Sequence, residues 1–349
     1  MTRIFTDGAE FGDVLFWDIN PSIYATAATK RSGNYSYYTR ANIGGGKYIG
    51  NLTEFYFRFA VYLYPWTGIH CRFRNNTITI ADIYYDNGTQ LLSARVNGVA
   101  VGTSTFTLAI SVWNLIEAHF KLDDINGIFD IKINGILDIE YDGDTNPGVY
   151  TDIDNIILGG PTNENVYYDD LALNDTNGSI DNSWCGDGHI ELLSPNDNGD
   201  INDWDGSDGD SVNNYLLVDD FPHDTDTTYV KTGVTEQDMY NVSDFVATGK
   251  IVQRIYAECR AKDNAVAGGT IKLGYKHSGT VYLCADARSL SGSYARVVGD
   301  EALSDPTDST VWSEADLDAI QFVVECSSSS STSSSSSSTT TSSSSTTIP

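Results

Sequence analysis

Apolar and polar positions alternate with a period of two along much of the first half of the chain. In FYFRFAVYLY (residues 55–64), Phe55, Phe57, Phe59, Val61 and Leu63 fall on one side, and Tyr56, Arg58, Ala60, Tyr62 and Tyr64 on the other. Residues two apart share a face only in an extended chain, so aromatic and β-branched residues in this rhythm predict a half-buried strand. Residues 115–122 repeat the pattern, with Ile116, Ala118, Phe120 and Leu122 set against Leu115, Glu117, His119 and Lys121. The next strand carries Phe129, Ile131 and Ile133 on one face, reverses at Asn134-Gly135 and continues with Leu137, Ile139 and Tyr141. Asn-Gly accepts the two positive φ angles of a type I′ turn, whose twist matches that of paired strands. Asn87-Gly88, Asn97-Gly98 and Asn126-Gly127 repeat the signal. Short strands with turns this dense predict an all-β sandwich or jelly roll and not βαβ units.

Val166 to Leu173 closes this region as a further strand, and the polar turn cluster NDTNGS (174–179) follows. The expected division falls there, with a first domain over 1–177 and a second over 178–326. The second half opens with Trp184 and HIELL (189–193) and runs through a long acidic loop, NDNGDINDWDGSDGD (196–210). Strand-like segments follow at 215–220, 251–261, 270–276, 280–287 and 321–326, which predict a second β-sandwich. One short helix interrupts them near the end. Ser313 is placed to cap it, Asp316 completes the capping box, and Ala315, Leu317, Ala319 and Ile320 supply an apolar stripe. Residues 327–347 are only Ser and Thr. Such a tract has no apolar surface to bury, so 327–349 read as a disordered tail.

Charge narrows the range of partners. Twenty Lys and Arg stand against 48 Asp and Glu, a net charge of −28 over 349 residues. A surface this acidic repels phosphate backbones and anionic bilayers, so nucleic acid is not an expected partner. No apolar run approaches the ~20 residues of a membrane span, and MTRIFTDGAEFGDVLFWD has no apolar stretch of the kind a secretory signal needs. The five cysteines, Cys71, Cys185, Cys259, Cys284 and Cys326, are odd in number, widely spaced and without a CxxC pair. This argues against a zinc site and a disulfide scaffold and for reduced thiols, with a bridge between two of the last three left open.

WNLIEAHFKL (113–122) and GIFDIKINGILDIEYDGD (127–144), with FTDGAEFGD (5–13) before them and YYDDLALND (167–175) after, resemble the concanavalin A-like (laminin-G-like) jelly roll. That resemblance implies a lectin-like sandwich whose first and last strands lie close together in one sheet. A wider set comprises FTDGAEFGDVLFWD, YYDDLALNDTNGSIDNSWCGDGHIELLSPN (167–196), NYLLVDDFPHDTDTTYV (214–230) and WSEADLDAIQF (312–322). It is similar to a family of two-domain structural proteins of tailed bacteriophages. What it implies is a virion component without enzymatic activity, a capsid decoration, fibre or tail-associated protein assembled in the host cytoplasm. Its partners would be other virion proteins and, through symmetric homo-oligomers, its own copies. The alternative is a carbohydrate-binding host-attachment module directed at surface glycans.

Candidate chemistry is sparse. Asp138, Glu140 and Asp142 sit at i, i+2 and i+4 of one expected strand, where glucanases with a concanavalin A-like fold carry a Glu-x-Asp-x-Glu series. Retaining hydrolysis needs carboxyls ~5–5.5 Å apart. Cα atoms four residues apart on a strand are about 13 Å apart, and two short Asp side chains close that gap poorly. The three read as solvent-facing hairpin positions, and no catalytic residue is expected. Asp203, Asp205, Asp208 and Asp210 are the set a calcium ion would use, among Gly206 and Gly209. The EF-hand order nevertheless fails, since Gly206 falls at the fourth place and Asn214 at the twelfth, so the stretch reads as an acidic loop. Of Asp169-Asp170, one carboxylate is expected to face solvent and the other to cap a turn. His70, His119, His189, His223 and His277 form no HxxxH or HxH pair and read as surface or edge residues. Among 21 tyrosines, Tyr35, Tyr37 and Tyr38 cluster, as do Tyr84 and Tyr85. Rings of this kind stack on sugars or pack a sheet, and the sequence leaves the choice open.

Overall fold

The computed structural model describes residues 3–19, 22–40, 44–148, 150–159, 166–246, 250–264, 269–327 and 344–347. Contacts divide the chain into two compact units, Met1–Leu192 and Leu193–Pro349. Both are built from antiparallel strands, as the alternation predicts.

The first unit carries β1 (Arg3–Asp7), β2 (Ile23–Thr26), β3 (Ser36–Thr39), β4 (Gly46–Leu52), β5 (Glu54–Tyr62), β6 (Gly68–Asn75), β7 (Ile78–Asp86), β8 (Leu91–Val96), β9 (Val99–Thr103), β10 (Trp113–Lys121), β11 (Gly127–Ile133), β12 (Ile136–Ile139), β13 (Asp142–Gly143), β14 (Ile153–Leu158) and β15 (Val166–Asp175). One sheet has the order β12-β11-β10-β5-β15-β3-β2, with β1 added on β15 and β13 on β11, and the other the order β4-β14-β6-β7-β8-β9. β1 pairs with β15 from Phe5 opposite Leu173 to Asp7 opposite Leu171, so the first and last strands of the unit are neighbours. This is a two-sheet, all-β sandwich.

The core lies where the alternation puts it. Phe55, Phe57, Phe59 and Val61 of β5 and Ile116, Ala118 and Phe120 of β10 are buried together with Phe73, Ile83, Tyr85 and Ile156 of the facing sheet. Phe73 is wedged among Phe55, Phe120 and Phe129, with ring centroids 5.0, 5.2 and 5.7 Å away. Each such side chain contributes roughly 1.5–3 kcal/mol when fully buried. Two of the Asn-Gly turns form as expected, with φ of 50° and 82° at Asn134 and Gly135 and 49° and 76° at Asn97 and Gly98. The other two sit in longer turns. Gln90 takes the positive φ, 59°, after Asn87-Gly88. Before Asn126-Gly127, the Asp123 carboxylate accepts the N–H groups of Ile125 and Asn126 at 2.8 and 2.7 Å.

Residues 182–190 stay with the first unit and fold back over the outer face of its larger sheet. Asn174 donates to the carbonyl of Ser183 at 2.7 Å, Gly186 N–H to Glu117 at 2.7 Å, and Ile190 N–H to Asp170 at 2.9 Å. Arg58 donates to the carbonyls of Asp170 and Gly186 at 2.9 and 3.0 Å. These bonds set the division after Leu192 instead of the expected 177.

The second unit carries β16 (Pro195–Asn202), β17 (Asp205–Gly206), β18 (Val230–Thr232), β19 (Glu236–Val242), β20 (Glu258–Asp263), β21 (Thr270–His277), β22 (Thr280–Leu283), β23 (Arg288–Ser289), β24 (Ala295–Val298), α1 (Glu314–Leu317), β25 (Gln321–Ser327) and β26 (Ser344–Thr347). Its sheets run β16-β19-β25-β21-β22, with β23 on β21, and β17-β18-β26-β20-β24. Trp204, Val230, Tyr240, Cys259, Ile271, Leu273 and Val324 form its core. The capping box is present: Ser313 Oγ accepts from Asp316 N–H at 3.2 Å, and Asp316 Oδ2 accepts from Ser313 N–H at 2.9 Å.

Four local expectations change. The acidic stretch 196–210 is not a loop throughout, because β16 and β17 run through it. An edge strand needs a partner on one side only and tolerates register shifts, and β16 shows two against β19. Residues 214–217 form a 3₁₀ turn and not a strand, since a short apolar run fits either. Residues 251–261 become a strand only from Glu258. Most of the Ser/Thr tail lies outside the described residues, while Ser344–Thr347 pair as β26 between β18 and β20.

Candidate functional site

The outward face of the larger first-unit sheet carries one aromatic ring on each of five neighbouring strands. Tyr24 of β2 stands opposite Tyr38 of β3, and Tyr38 opposite Tyr167 of β15. Tyr167 in turn stands opposite Tyr62 of β5, and Tyr62 opposite Trp113 of β10. Every step is a direct cross-strand partnership, so the five rings form one line perpendicular to the strands. At ~4.8 Å per strand the line is about 19 Å long. Successive centroids are 5.1, 6.0, 6.0 and 5.7 Å apart, at interplanar angles of 26°, 39°, 90° and 67°. The rings thus offer faces and edges in turn. Exposure runs from 46% at Tyr24 to 8% at Tyr167, which its neighbours cover. Tyr64, two residues beyond Tyr62, adds a ring 6.1 Å from Tyr167, and Trp66 is 42% exposed.

A loop from Lys30 to Asn34 borders the row on its other side. Trp113 Nε1–H donates to the carbonyl of Lys30 at 3.0 Å, tying the loop to the last ring. Below it are buried carboxylates. Asp169 accepts the N–H groups of Arg31 and Ser32 at 2.7 and 3.3 Å. Asp170 accepts from Arg31 Nη1 at 2.7 Å and from Ser32 Oγ at 2.6 Å. Glu10 accepts the Asn34 N–H at 2.6 Å. Asp169 shares the outward face with Tyr167, and a bulge at Asp170, with φ of 52°, turns the second carboxylate to the same loop.

Burial sets the proton affinities of this group. Burial and the neighbouring Asp170 charge push Asp169 well above the carboxylate range. Burial acts on Asp170 too, but hydrogen bonds from His189, Ser32 and Arg31 outweigh it and hold Asp170 below its usual value. Glu10 is pushed up to about 9, chiefly by burial and with help from Asp169 and Asp7, against the opposing N–H bonds of Asn34 and Tyr35. Both members of Asp169-Asp170 are fully buried. The expectation of one solvent-facing carboxylate is corrected, because the loop between β2 and β3 covers both.

The structure separates the other residues singled out in the sequence. Asp138 holds the chain after β9, accepting from Thr105 N–H at 2.8 Å and Phe106 N–H at 3.2 Å. Glu140 falls between β12 and β13, so Asp138, Glu140 and Asp142 do not share one continuous strand. Asp203, Asp205, Asp208 and Asp210 are all exposed. Among the described residues, three ligating atoms come within 4.8 Å of one another at His277, Asp305 and Asp316, and not within that acidic stretch. There His277 Nε2 is 3.1 Å from Asp305 and 3.4 Å from Ser278 Oγ.

His70, His119 and His277 are buried, where surface or edge positions were expected. Burial, with the Arg72 charge, lowers His70 to about 3. His119 stacks on Tyr56 at 4.2 Å and meets Glu54 at 2.8 Å. Burial and the charges of Glu54 and Asp130 raise the Tyr56 hydroxyl, which makes it a poor phenolate base. Cys71, Cys185, Cys259 and Cys284 are buried thiols without a disulfide. Of the clustered tyrosines, Tyr37 and Tyr85 belong to the core, Arg95 covers Tyr84 at 4.2 Å, and Tyr38 joins the row. No helix among the described residues is long and apolar enough to cross a membrane.

Neither a family model nor a curated protein matches the chain. Among solved structures it is similar to an endo-β-1,4-glucuronan lyase from the fungus Trichoderma reesei, at 16% identity and TM-score 0.39, over 53% of this chain and 100% of that one. An alginate lyase from Chlorella virus aligns at 13% identity and TM-score 0.32, over 46% of this chain and 93% of that one. A galectin from Caenorhabditis elegans aligns at 10% identity and TM-score 0.29, over 37% of this chain and 89% of that one. These findings overturn two expectations. The proteins that emerge are glycan-cleaving enzymes and a galectin and not virion components, so the assignment to a tailed-phage virion component is given up. The denial of enzymatic activity is given up with it. With TM-scores under 0.5 the likenesses carry no argument about what takes their place.

Proposed function

We propose that the first unit binds carbohydrate on the aromatic row of its larger sheet. The observation that carries this reading is the row itself, five aromatic side chains in direct cross-strand register on an outward face. Sheet packing alone does not call for it, since the unit's core is filled by the opposite face. Tyrosine and tryptophan combine an apolar ring with a polar edge, the pairing that suits the apolar face and hydroxyl rim of a pyranose. The loop under Trp113 is pinned by buried carboxylates, so the rings are held in place before a ligand arrives, which lowers the ordering cost of binding.

The test is retention on a panel of immobilised polysaccharides, with Tyr62→Ala and Trp113→Ala as variants. Wild type is expected to be retained on at least one polymer. Each substitution should weaken binding about tenfold, a loss of roughly 1.4 kcal/mol, with the circular dichroism of the sandwich unchanged. Equal retention of wild type and both variants would remove the row from the account. The same supernatants, assayed for new sugar ends, show whether the bound polymer is also cut.

A further inference from the structure

The row differs from a pocket in a way that bears on which part of a glycan it takes. It begins at β2, the edge strand of its sheet, and the ring there, Tyr24, is the most exposed of the five at 46%. At the other end, the strand beyond Trp113 contributes the Asn134-Gly135 turn, both of whose residues are exposed and carry little bulk. The turn sits level with Leu115, whose carbonyl accepts the Asn134 N–H at 2.8 Å. The Lys30–Asn34 loop meets the row at Trp113, and the Tyr64 ring meets it at Tyr167. A line of five rings about 19 Å long that runs out at an exposed edge strand is longer than one sugar and leaves a chain free to continue past Tyr24.

On this basis, and resting on the carbohydrate reading above, we infer that the row takes an internal stretch of a linear polysaccharide laid across the strands. Successive sugar rings of an extended chain advance by a distance close to the strand spacing, so the five side chains match about four units. Affinity then rises with ligand length until the row is filled.

Cello-, manno- and alginate-oligosaccharides, from the single sugar to roughly six units, serve as probes of the full chain by calorimetry and by competition with the retained polymer. The single sugar is expected not to compete, and affinity should rise at least tenfold from two units to about four and then level off. Tyr24→Ala, at an exposed edge position that leaves the core intact, should lower affinity at least fivefold for the longer oligosaccharides while leaving two-unit ligands unchanged. Tyr62→Ala should weaken all lengths. Competition by the single sugar as strong as by the long oligosaccharide would overturn the inference and leave carbohydrate binding standing. So would an equal effect of Tyr24→Ala at every length. If no oligosaccharide or polymer binds at all, both readings fall together.

Discussion

Glu10 shows at the scale of one residue how the sandwich holds an acid where water cannot reach. Its carboxyl is 6% exposed and carries the N–H of Asn34 at 2.6 Å. The folded protein keeps the proton up to about 9, while the unfolded chain gives it up near 4.5. Between those values the folded state binds more protons than the unfolded one, so this residue's contribution to stability falls as pH rises, by at most roughly 1.4 kcal/mol per pH unit. Glu10→Gln keeps the acceptor and removes the ionisation. It is expected to raise the melting temperature at pH 8 and to flatten its decline above pH 5, as scanning calorimetry across that range would show. A variant that melts lower than wild type at pH 8 would mean that something positive normally balances the carboxylate. Asp169, on β15, accepts N–H groups of the same Lys30–Asn34 loop. Burial raises its proton affinity in the same direction as that of Glu10, so Asp169→Asn is expected to gain stability relative to wild type as pH rises, as thermal melts of both at pH 5 and at pH 8 would show.

The individual elements form for reasons that can be tested one at a time. The helix Glu314–Leu317 has a single turn, too short to persist without its cap and its packing. Ser313→Ala removes one side of the capping box and should destabilise the second unit by about 1 kcal/mol, visible as a lower urea midpoint at an unchanged slope. The hairpin β11–β12 depends on Asn134 and Gly135 at positive φ. Gly135→Val would place a β-branched side chain at φ of 82°, with a loss of 1 kcal/mol or more. The aromatic row depends on the register of four strand pairs at once. A one-residue slip in any of them would turn a ring to the opposite face.

For the whole molecule, the two units differ in what they hide. Phe120 lies in the aromatic centre of the first sandwich, fully buried and touching Phe55, Phe73 and Phe129. Phe120→Ala leaves a cavity there and is expected to cost about 3–5 kcal/mol. The loss should appear in the melting of the first unit, with that of the second unchanged. Because the row, its bordering loop and the buried carboxylates all belong to Met1–Leu192, a chain ending at Leu192 should keep the polysaccharide affinity of the full protein. Loss of binding in that shorter chain, with its fold intact by circular dichroism, would show that the second unit takes part in recognition.

Period-two alternation, the Asn-Gly turns at 97–98 and 134–135 and the Ser313/Asp316 cap are local signals, and each determined its element from the sequence alone. Local signals act through neighbours in the chain, where steric and hydrogen-bonding rules hold whatever the rest of the fold does. Tyr62 was legible as an outward residue of residues 55–64, but nothing local to it groups it with Tyr24, Tyr38, Trp113 and Tyr167, which lie up to 143 positions apart. Only strand pairing puts them in one line, because register is fixed by burying the other face of each strand. The burial of Asp169 and Asp170 was equally out of reach: a DD pair reads as solvent-seeking until the tertiary structure lays a loop over it and supplies the donors that make burial bearable.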